Sequence, residues 1–168
     1  MSPVYSDNKT DIVTIYPGET YFGNTAKWVN TILGSCVAIV LWHPQRKLTG
    51  LCHYVLPEMR SGADNLVPGR YAEGAIRFLF ESVKRYQTSI IDYEVGIYGG
   101  GYLLGGNNHE YFDIGRKNAV IGLSLLKQAG ITPKEQKVGG RCYRTLKVNG
   151  LTGVITLFES NSEPKQVS

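Results

Sequence analysis

The stretch Thr31-Ile32-Leu33-Gly34-Ser35-Cys36-Val37-Ala38-Ile39-Val40-Leu41-Trp42 decides how the rest of the chain is interpreted. Residues Val37 to Trp42 are aliphatic, β-branched and aromatic, which is typical of a buried strand. Gly34 and Ser35 are small residues at the point where the backbone has to bend before that strand. The pattern therefore predicts that Cys36 lies at a strand junction, where the scaffold holds it and leaves it open to a cleft.

A second apolar run, Leu48 to Leu56, follows the polar segment His43-Pro44-Gln45-Arg46-Lys47. A short proline-containing segment between two such runs is typical of a hairpin or short loop. Two adjacent strands of this kind would bring Cys36 close to His53. Cys52 and His53 are neighbours in the predicted strand, so their side chains are expected to point to opposite faces.

Cys36 and His53 have the chemistry of a nucleophile and a base. A thiolate is the attacking species, a histidine within hydrogen-bond reach can take the thiol proton, and a third group can fix the imidazole tautomer. Backbone N–H groups near Gly34, Ser35 and Cys36 could bind a developing oxyanion. On composition alone, a buried cysteine that only packs is the alternative interpretation.

The motif Thr31-x-Leu33-Gly34-Ser35-Cys36-Val37-Ala38, followed by Gly50-x-x-His53-x-x-Leu56-Pro57, resembles the signature of the chemoreceptor glutamine deamidase (CheD) family. The 17-residue separation of Cys36 and His53 fits that signature. The resemblance runs from about Ile12 to about Phe158 and includes later segments in the family's order: Arg70-Tyr71, Tyr98-Gly99-Gly100-Gly101, Ile114-Gly115-Arg116-Lys117-Asn118 and Gly139-Gly140-Arg141. One departure is Gly101-Tyr102-Leu103-Leu104, where the family often has Gly-Gly-Ala and then a small or amide residue; this concerns local substrate contacts.

This resemblance implies an α+β (layered α/β) fold with three layers, in which mixed sheets pack together and helices lie outside, similar to the cysteine-hydrolase fold of deamidating toxins. It implies that Cys36 attacks receptor glutamines and forms a thioester, that His53 is the base, and that Thr31 orients His53. Gly34 and Ser35 would contribute to the oxyanion site. No cofactor is expected. Chemoreceptor cytoplasmic domains would be the substrates, a CheC-type phosphatase is a possible partner, and receptor methyl esters are possible additional substrates.

Two other classes of function stay open at this point. The chain could be a catalytically weak binding module that regulates a CheC-type phosphatase, although a pure binder has no chemical need for both Cys36 and His53. It could also be a general cysteine hydrolase or peptidase, because that chemistry differs only in the leaving group.

Composition sets limits on the class of protein. The chain has 168 residues, of which 42% are hydrophobic and 19% charged, as expected for a single globular domain over residues 1–168. The net charge of +4 is scattered, unlike the basic patch of a nucleic-acid binder. Three cysteines without a C-x-x-C pair argue against a disulfide framework and a zinc site. No stretch is long and apolar enough for membrane insertion and no secretory signal is evident, so the cytoplasm is expected.

The remaining segments predict further elements around the site. Strands are expected near Asp11–Tyr16, Lys27–Leu33, Tyr93–Tyr98, Ile131–Val138, Arg141–Val148 and Leu151–Phe158. Helices are expected over Tyr71–Tyr86 and from a cap at Asp113 to Gly130, with Ala119, Leu123, Leu126 and Ala129 on the buried face of the second. The dipeptide Asn149-Gly150 predicts a hairpin turn before the strand that starts at Leu151. Residues 1–10 and about 160–168 are expected to be flexible, within a polar tail that begins at Glu159.

Several residues have both a structural and a functional interpretation. The loop Glu58–Gly69 is either a solvated connection or a flap near His53. Asn118 either satisfies a backbone group or faces the cleft. The glycines of Gly99-Gly100-Gly101 are expected to allow close backbone approach to the cleft rather than to bind an anion. Arg141 and Arg144 are either surface charges or contacts for an acidic receptor, and His43 and His109 are expected to be exposed loop residues.

Overall fold

The computed structural model describes residues 11–59, 67–102 and 109–161 of the chain. Within these residues the elements follow one another in the order β1 (Ile12–Thr14), β2 (Thr20–Gly23), β3 (Trp28–Leu33), β4 (Val37–His43), β5 (Leu48–Tyr54), α1 (Ala72–Arg85), β6 (Glu94–Gly99), α2 (His109–Gln128), β7 (Glu135–Val138), β8 (Tyr143–Asn149) and β9 (Ile155–Ser160). Strands and helices alternate irregularly, which is the α+β pattern that was expected.

The strands form two mixed sheets. A four-stranded sheet has the order β1-β3-β8-β9, and a five-stranded sheet has the order β2-β5-β4-β6-β7. Each sheet has one parallel pair, β1 with β3 and β6 with β7, and its other pairs are antiparallel. One apolar cluster contains residues of both sheets, and a second joins the five-stranded sheet to the helices. The three-layer prediction is therefore confirmed; the likeness to deamidating toxins stays a prediction.

Strands β4 and β5 lie at the centre of these layers, and every residue of both is buried. Their side chains alternate between the two clusters, because successive residues of a strand point to opposite faces. Val37, Ile39 and Leu41 belong to the cluster under the helices, whereas Ala38 and Val40 belong to the cluster between the sheets. A strand buried on both faces needs an unbroken apolar run, which explains the composition of Val37–Trp42.

The connection between β4 and β5 is the predicted hairpin. His43 pairs with Leu48, and the N–H of Lys47 donates to the His43 carbonyl at 2.9 Å. The expectation that His43 is exposed is wrong: only 4% of it is exposed, and its ring packs edge-on against Tyr93. Its Nδ1 accepts from the N–H of Arg46, so the histidine stabilises the hairpin.

Helix α1 matches its prediction closely, and α2 matches at one end only. The predicted apolar face of α1 is buried at Ala72, Ala75, Ile76, Leu79 and Val83. Helix α2 begins at His109, so Asp113 lies inside it and is not its cap, and His109 is not a loop residue. The C-terminal prediction is confirmed: Gly130 has φ +75°, and the N–H groups of Gly130 and Ile131 donate to the carbonyls of Lys127 and Leu126.

Of the predicted buried face of α2, Leu126 is fully buried and Ala119 is 7% exposed. Leu123 is only partly buried, although it packs against the core, and Ala129 is exposed because it lies in the turn that ends the helix. The prediction for this face was therefore wrong at Ala129.

Tertiary contacts change three elements at the C-terminal end of the chain. The hairpin predicted at Asn149-Gly150 is confirmed, because β8 and β9 pair antiparallel. Its connection is a longer loop, in which Gly153 has φ +73°, so β9 begins at Ile155 rather than at Leu151. The Trp42 indole N–H donates to the Gly150 carbonyl, and its ring fills the space beside Gly153. Strand β7 is shorter than predicted, beginning at Glu135. Strand β9 runs to Ser160, so Glu159 is part of the sheet rather than of a disordered tail.

Candidate active site

Cys36 lies in the three-residue turn Gly34–Cys36 between β3 and β4, which belong to different sheets. It is a free thiol of intermediate exposure that packs against the cluster between the sheets. The predicted position of Cys36, a bend before a buried strand, is therefore confirmed. The change from one sheet to the other at this turn is what leaves the side chain partly accessible.

All three carbonyl groups of this turn are anchored to the protein. The Gly34 carbonyl accepts from the N–H of Gly101 at 2.9 Å, and the Cys36 carbonyl accepts from the N–H of Gly100 at 2.8 Å. The Ser35 carbonyl accepts from Asn118 Nδ2 at 2.9 Å. Within the described part of the chain, the N–H groups of Ser35 and Cys36 donate to no backbone acceptor. Because its carbonyl groups are anchored, the turn holds the N–H groups of Ser35 and Cys36 in fixed directions.

The glycines after β6 make these anchors possible. Gly99 and Gly100 have φ +113° and +62°, a region that favours glycine. A Cβ on Gly99 would collide with the Cys36 carbonyl, and a Cβ on Gly100 would lie 2.7 Å from the Gly115 carbonyl of α2. The expected close approach of this backbone is confirmed at the Cys36 turn.

His53 lies on β5 directly opposite Ala38 of β4. Cys36 comes directly before Val37, which pairs with Tyr54, so the turn that holds Cys36 adjoins the end of β5 that holds His53. Cys36 packs against the cluster between the sheets and the His53 ring faces Thr31 of the other sheet, whereas Cys52 belongs to the cluster under the helices. The predicted opposite orientation of Cys52 and His53 is therefore confirmed.

Thr31 reaches His53 from the other sheet. Its Oγ1 lies 2.8 Å from His53 Nδ1 and 2.6 Å from the Ile15 carbonyl, and only 1% of Thr31 is exposed. A hydroxyl has one proton, which Thr31 donates to Ile15, so Thr31 Oγ1 accepts from His53 Nδ1–H. In neutral His53 the other nitrogen, Nε2, then carries the lone pair. This nitrogen is buried and has no hydrogen-bond partner among the described residues.

Burial favours the neutral forms of both Cys36 and His53. Desolvation lowers the pKa of His53 to about 4, although a hydrogen bond to the Ile15 carbonyl raises it in part. Desolvation also raises the pKa of Cys36 to about 11, against a smaller lowering by a backbone hydrogen bond. Near neutral pH the site therefore holds a thiol and a neutral imidazole rather than a thiolate–imidazolium pair. Among the described residues no hydrogen bond joins Cys36 Sγ to His53 Nε2, whose lone pair is unpartnered. A neutral imidazole with an available lone pair can remove a thiol proton as the thiol attacks, once the two groups are within reach.

Arg144 is a structural residue, so both roles predicted for it from the sequence are wrong. Only 5% of it is exposed, and its Nε donates to Glu159 at 3.0 Å. Its other nitrogens donate to the carbonyls of Gly99 and Gly139. Arg144 is therefore neither a surface charge nor a receptor contact. Its hydrogen bonds hold the backbone at Gly99 and Gly139 in place. The alternation of β8, which puts Arg144 on the same face as buried Leu146 and Val148, could have revealed this.

Arg141 is exposed, which is compatible with both a surface charge and a receptor contact, so its role stays a prediction. Asn118, left undecided by the sequence, is fully buried and binds backbone carbonyls. Much of the Glu58–Gly69 loop (residues 60–66), together with Leu103 and Leu104, lies outside the described residues, so the flap and the local substrate contacts stay predictions.

Within residues 11–59, 67–102 and 109–161, no group of three or more histidine, cysteine or acidic side chains is arranged to hold a metal ion. No helix in the same ranges has the length and apolar character needed to cross a bilayer.

Comparison with known proteins shows one consistent family. Residues 55–158 match the family model described as CheD chemotactic sensory transduction. The probable chemoreceptor glutamine deamidase CheD 3 of Dechloromonas aromatica (strain RCB) is 33% identical over 145 residues, covering 86% of this chain and 85% of that protein. The probable chemoreceptor glutamine deamidase CheD of Methanococcus vannielii is 29% identical over 150 residues, covering 89% and 96%.

The family-model match begins just after His53, whereas the longer matches to whole proteins extend further. A span of 145 residues in a chain of 168 has to include the segment from Thr31 to His53. Among solved structures, the hypothetical protein YfiH of Bacillus licheniformis gives a TM-score of 0.40 at 10% identity, covering 80% of this chain and 61% of that one. That similarity is too low to carry an argument.

Proposed function

The chain belongs to the CheD chemotaxis family, and from this premise we propose that it is a protein-glutamine deamidase that converts glutamines of chemoreceptor cytoplasmic domains to glutamate. The relatives named as probable chemoreceptor glutamine deamidases support the substrate. The arrangement of Thr31 and His53 supports the chemistry, since it leaves an unpartnered lone pair on His53, at the end of β5 that adjoins the Cys36 turn. We place the reaction in the cytoplasm, where those receptor domains lie.

The first half of the reaction forms a thioester. Cys36 Sγ attacks the carboxamide carbon while its proton moves to His53 Nε2, in one step, because burial disfavours a separate ion pair. The carbonyl oxygen becomes an oxyanion that accepts from the N–H groups of Ser35 and Cys36. The proton on His53 then passes to the leaving nitrogen, the C–N bond breaks and ammonia departs.

The second half restores the thiol. Water attacks the γ-glutamyl thioester as His53 Nε2 takes one of its protons, and the same backbone donors bind the second oxyanion. The C–S bond breaks, Cys36 takes the proton back, and the receptor is left with glutamate. Thr31 keeps the Nδ1–H tautomer throughout, so that Nε2 is always the nitrogen that accepts. A receptor methyl ester would react by the same steps with methanol as leaving group.

The second candidate is a catalytically weak binding module that engages a CheC-type phosphatase. The observation in its favour is the raised pKa of Cys36, which is not that of an activated thiol. Against it stands the buried, unpartnered Nε2 of His53, a group that is costly to retain without a chemical use. A general peptidase differs in leaving group only, and peptide-bond cleavage would identify it.

The test is mass spectrometry of a receptor cytoplasmic fragment incubated with the wild-type protein, with Cys36→Ala and with Cys52→Ala. Cys52 is the matched control, because it is a buried thiol on the face of β5 that points away from His53. We expect glutamine-to-glutamate conversion with the wild type and Cys52→Ala, and none with Cys36→Ala. Conversion by Cys36→Ala would refute the nucleophile; no conversion of several receptors by the wild type would favour the binding module.

A further inference from the structure

Asn118 of α2 connects the turn that carries the proposed nucleophile to the end of the strand that carries the proposed base. It is fully buried, and its Nδ2 donates both to the Ser35 carbonyl at 2.9 Å and to the Val55 carbonyl at 2.8 Å. Its own backbone carbonyl accepts from the Tyr54 hydroxyl at 2.6 Å. One residue of the helix layer therefore contacts the Cys36 turn and the end of β5 together.

This amide stands where the ladder between β4 and β5 stops. The last paired residues are Val37 and Tyr54. Beyond them, the N–H of Val55 donates to the Arg70 carbonyl rather than to the Cys36 turn. The side chain of Asn118 spans the gap, holding one carbonyl of the turn and one that follows β5. The Cys36 turn therefore makes no ladder hydrogen bonds with β5, and Asn118 holds it in place instead.

The bond to Ser35 also fixes the direction of a donor. Across a trans peptide bond, the C=O of one residue and the N–H of the next point in opposite directions. Holding the Ser35 carbonyl toward α2 therefore points the Cys36 N–H away from α2. The Gly34 carbonyl, held by the N–H of Gly101, directs the Ser35 N–H in the same manner. Of these two anchors, only the one on Ser35 is a side chain, so only it can be removed by substitution.

We propose that Asn118 is a positioning residue that directs the Cys36 N–H toward the oxyanion; this rests on the proposed acyl-transfer chemistry. The role requires an amide, because the two carbonyls need two N–H donors from one group. Asn118 Oδ1 is buried and has no partner among the described residues, so the donors are the half of the amide that the site uses.

Two reactions of Cys36 separate positioning from a general loss of structure. Acylation by p-nitrophenyl acetate passes through an oxyanion, forms the thioester and releases p-nitrophenol. Alkylation of the same sulfur by iodoacetamide forms a C–S bond as iodide and the thiol proton leave, and it passes through no oxyanion. Because neither reagent is a receptor, the two rates do not depend on the proposed receptor substrate. We expect Asn118→Ala to slow acylation by about 100-fold, the scale of a misplaced catalytic group, and to leave alkylation within about twofold, since no donor is required.

Tyr54→Phe is the matched control, because it removes a hydrogen bond to the same residue of α2 without touching the Cys36 turn. It should leave both rates near those of the wild type. If Asn118→Ala does not fold, Asn118→Leu keeps the side-chain volume and removes both donors. The ratio of the acylation rate to the alkylation rate is then measured on that variant. Circular dichroism identifies the folded proteins.

An unchanged ratio of acylation to alkylation in the folded Asn118 variants would refute the positioning role. An equal loss in Tyr54→Phe would refute it too, because it would trace the effect to helix packing. Failure of the wild type to deamidate receptors, with the ratio still dependent on Asn118, would refute the proposed substrate and leave the positioning role intact.

Discussion

The burial of His53 predicts a specific loss of stability in acid. Its pKa falls from the ordinary 6.5 to about 4 on folding, chiefly through desolvation. The unfolded chain therefore binds a proton between these values more readily than the folded protein does. The stabilising contribution is complete above about pH 6.5 and is lost as the pH falls through 4. Replacing His53 by glutamine, which has no proton to gain in this range, should remove that dependence.

The magnitude follows from the shift. Each tenfold difference in proton affinity corresponds to about 1.4 kcal/mol, so between pH 7 and pH 4 the wild type should lose about 3 kcal/mol of unfolding free energy through this group. With 1% of His53 exposed, solvent screening reduces this value little. Other groups contribute to acid unfolding in both proteins and cancel when the wild type is compared with His53→Gln.

The assay is urea unfolding followed by circular dichroism at pH 7 and pH 4 for the wild type and His53→Gln. The difference at pH 7 measures the structural cost of the substitution, and the change in that difference at pH 4 measures the titration. We expect the variant to gain about 3 kcal/mol relative to the wild type on going to pH 4. A change below about 1 kcal/mol, less than the effect of one tenfold shift, would refute the argument that His53 is held neutral by burial.

Three further predictions concern the residues that support the site. Thr31→Val removes the hydroxyl bonded to the imidazole, so it should lower the unfolding free energy by about 1–3 kcal/mol and slow deamidation. Thr31→Ser should restore both, and equal deamidation rates for Thr31→Val and the wild type would contradict the tautomer assignment. Arg144→Met leaves buried carbonyls unpaired and should cost about 3 kcal/mol in urea unfolding, whereas exposed Arg141→Met should cost little. Gly100→Ala should lower the melting temperature further than Gly130→Ala, since both have positive φ but open space surrounds only the second; equal shifts would exclude crowding as the cause.

The sequence predicted the centre of the fold well, because that centre is built from local patterns. The apolar run Val37–Trp42, the polar hairpin after it and the periodic face of α1 each describe one element, and each element formed as expected. The bend at Cys36 was predictable for the same reason. Periodicity and turn composition act over a few residues, and here no tertiary contact opposes them.

Where the sequence failed, a distant contact determined the structure. The longer loop after Asn149 packs against Trp42, a residue of another sheet. Arg144 is buried against carbonyls of two separate glycine segments, and Asn118 against carbonyls of the Cys36 turn and of Val55 after β5. These bonding partners are remote in the chain, so no local sequence pattern predicts the contacts. The roles of Cys36, His53, Thr31, Gly34 and Ser35 stay predictions until the experiments above are made.

The protonated resting state of Cys36 has a consequence for oxidative chemistry. Peroxides and disulfides react with thiolates, and the thiol form reacts slowly. With a pKa near 11, Cys36 has a smaller thiolate fraction at neutral pH than an ordinary cysteine. Oxidants that inactivate low-pKa cysteine enzymes should therefore largely spare this sulfur. Under the proposed mechanism, Cys36 ionises only during attack and therefore resists oxidation between turnovers.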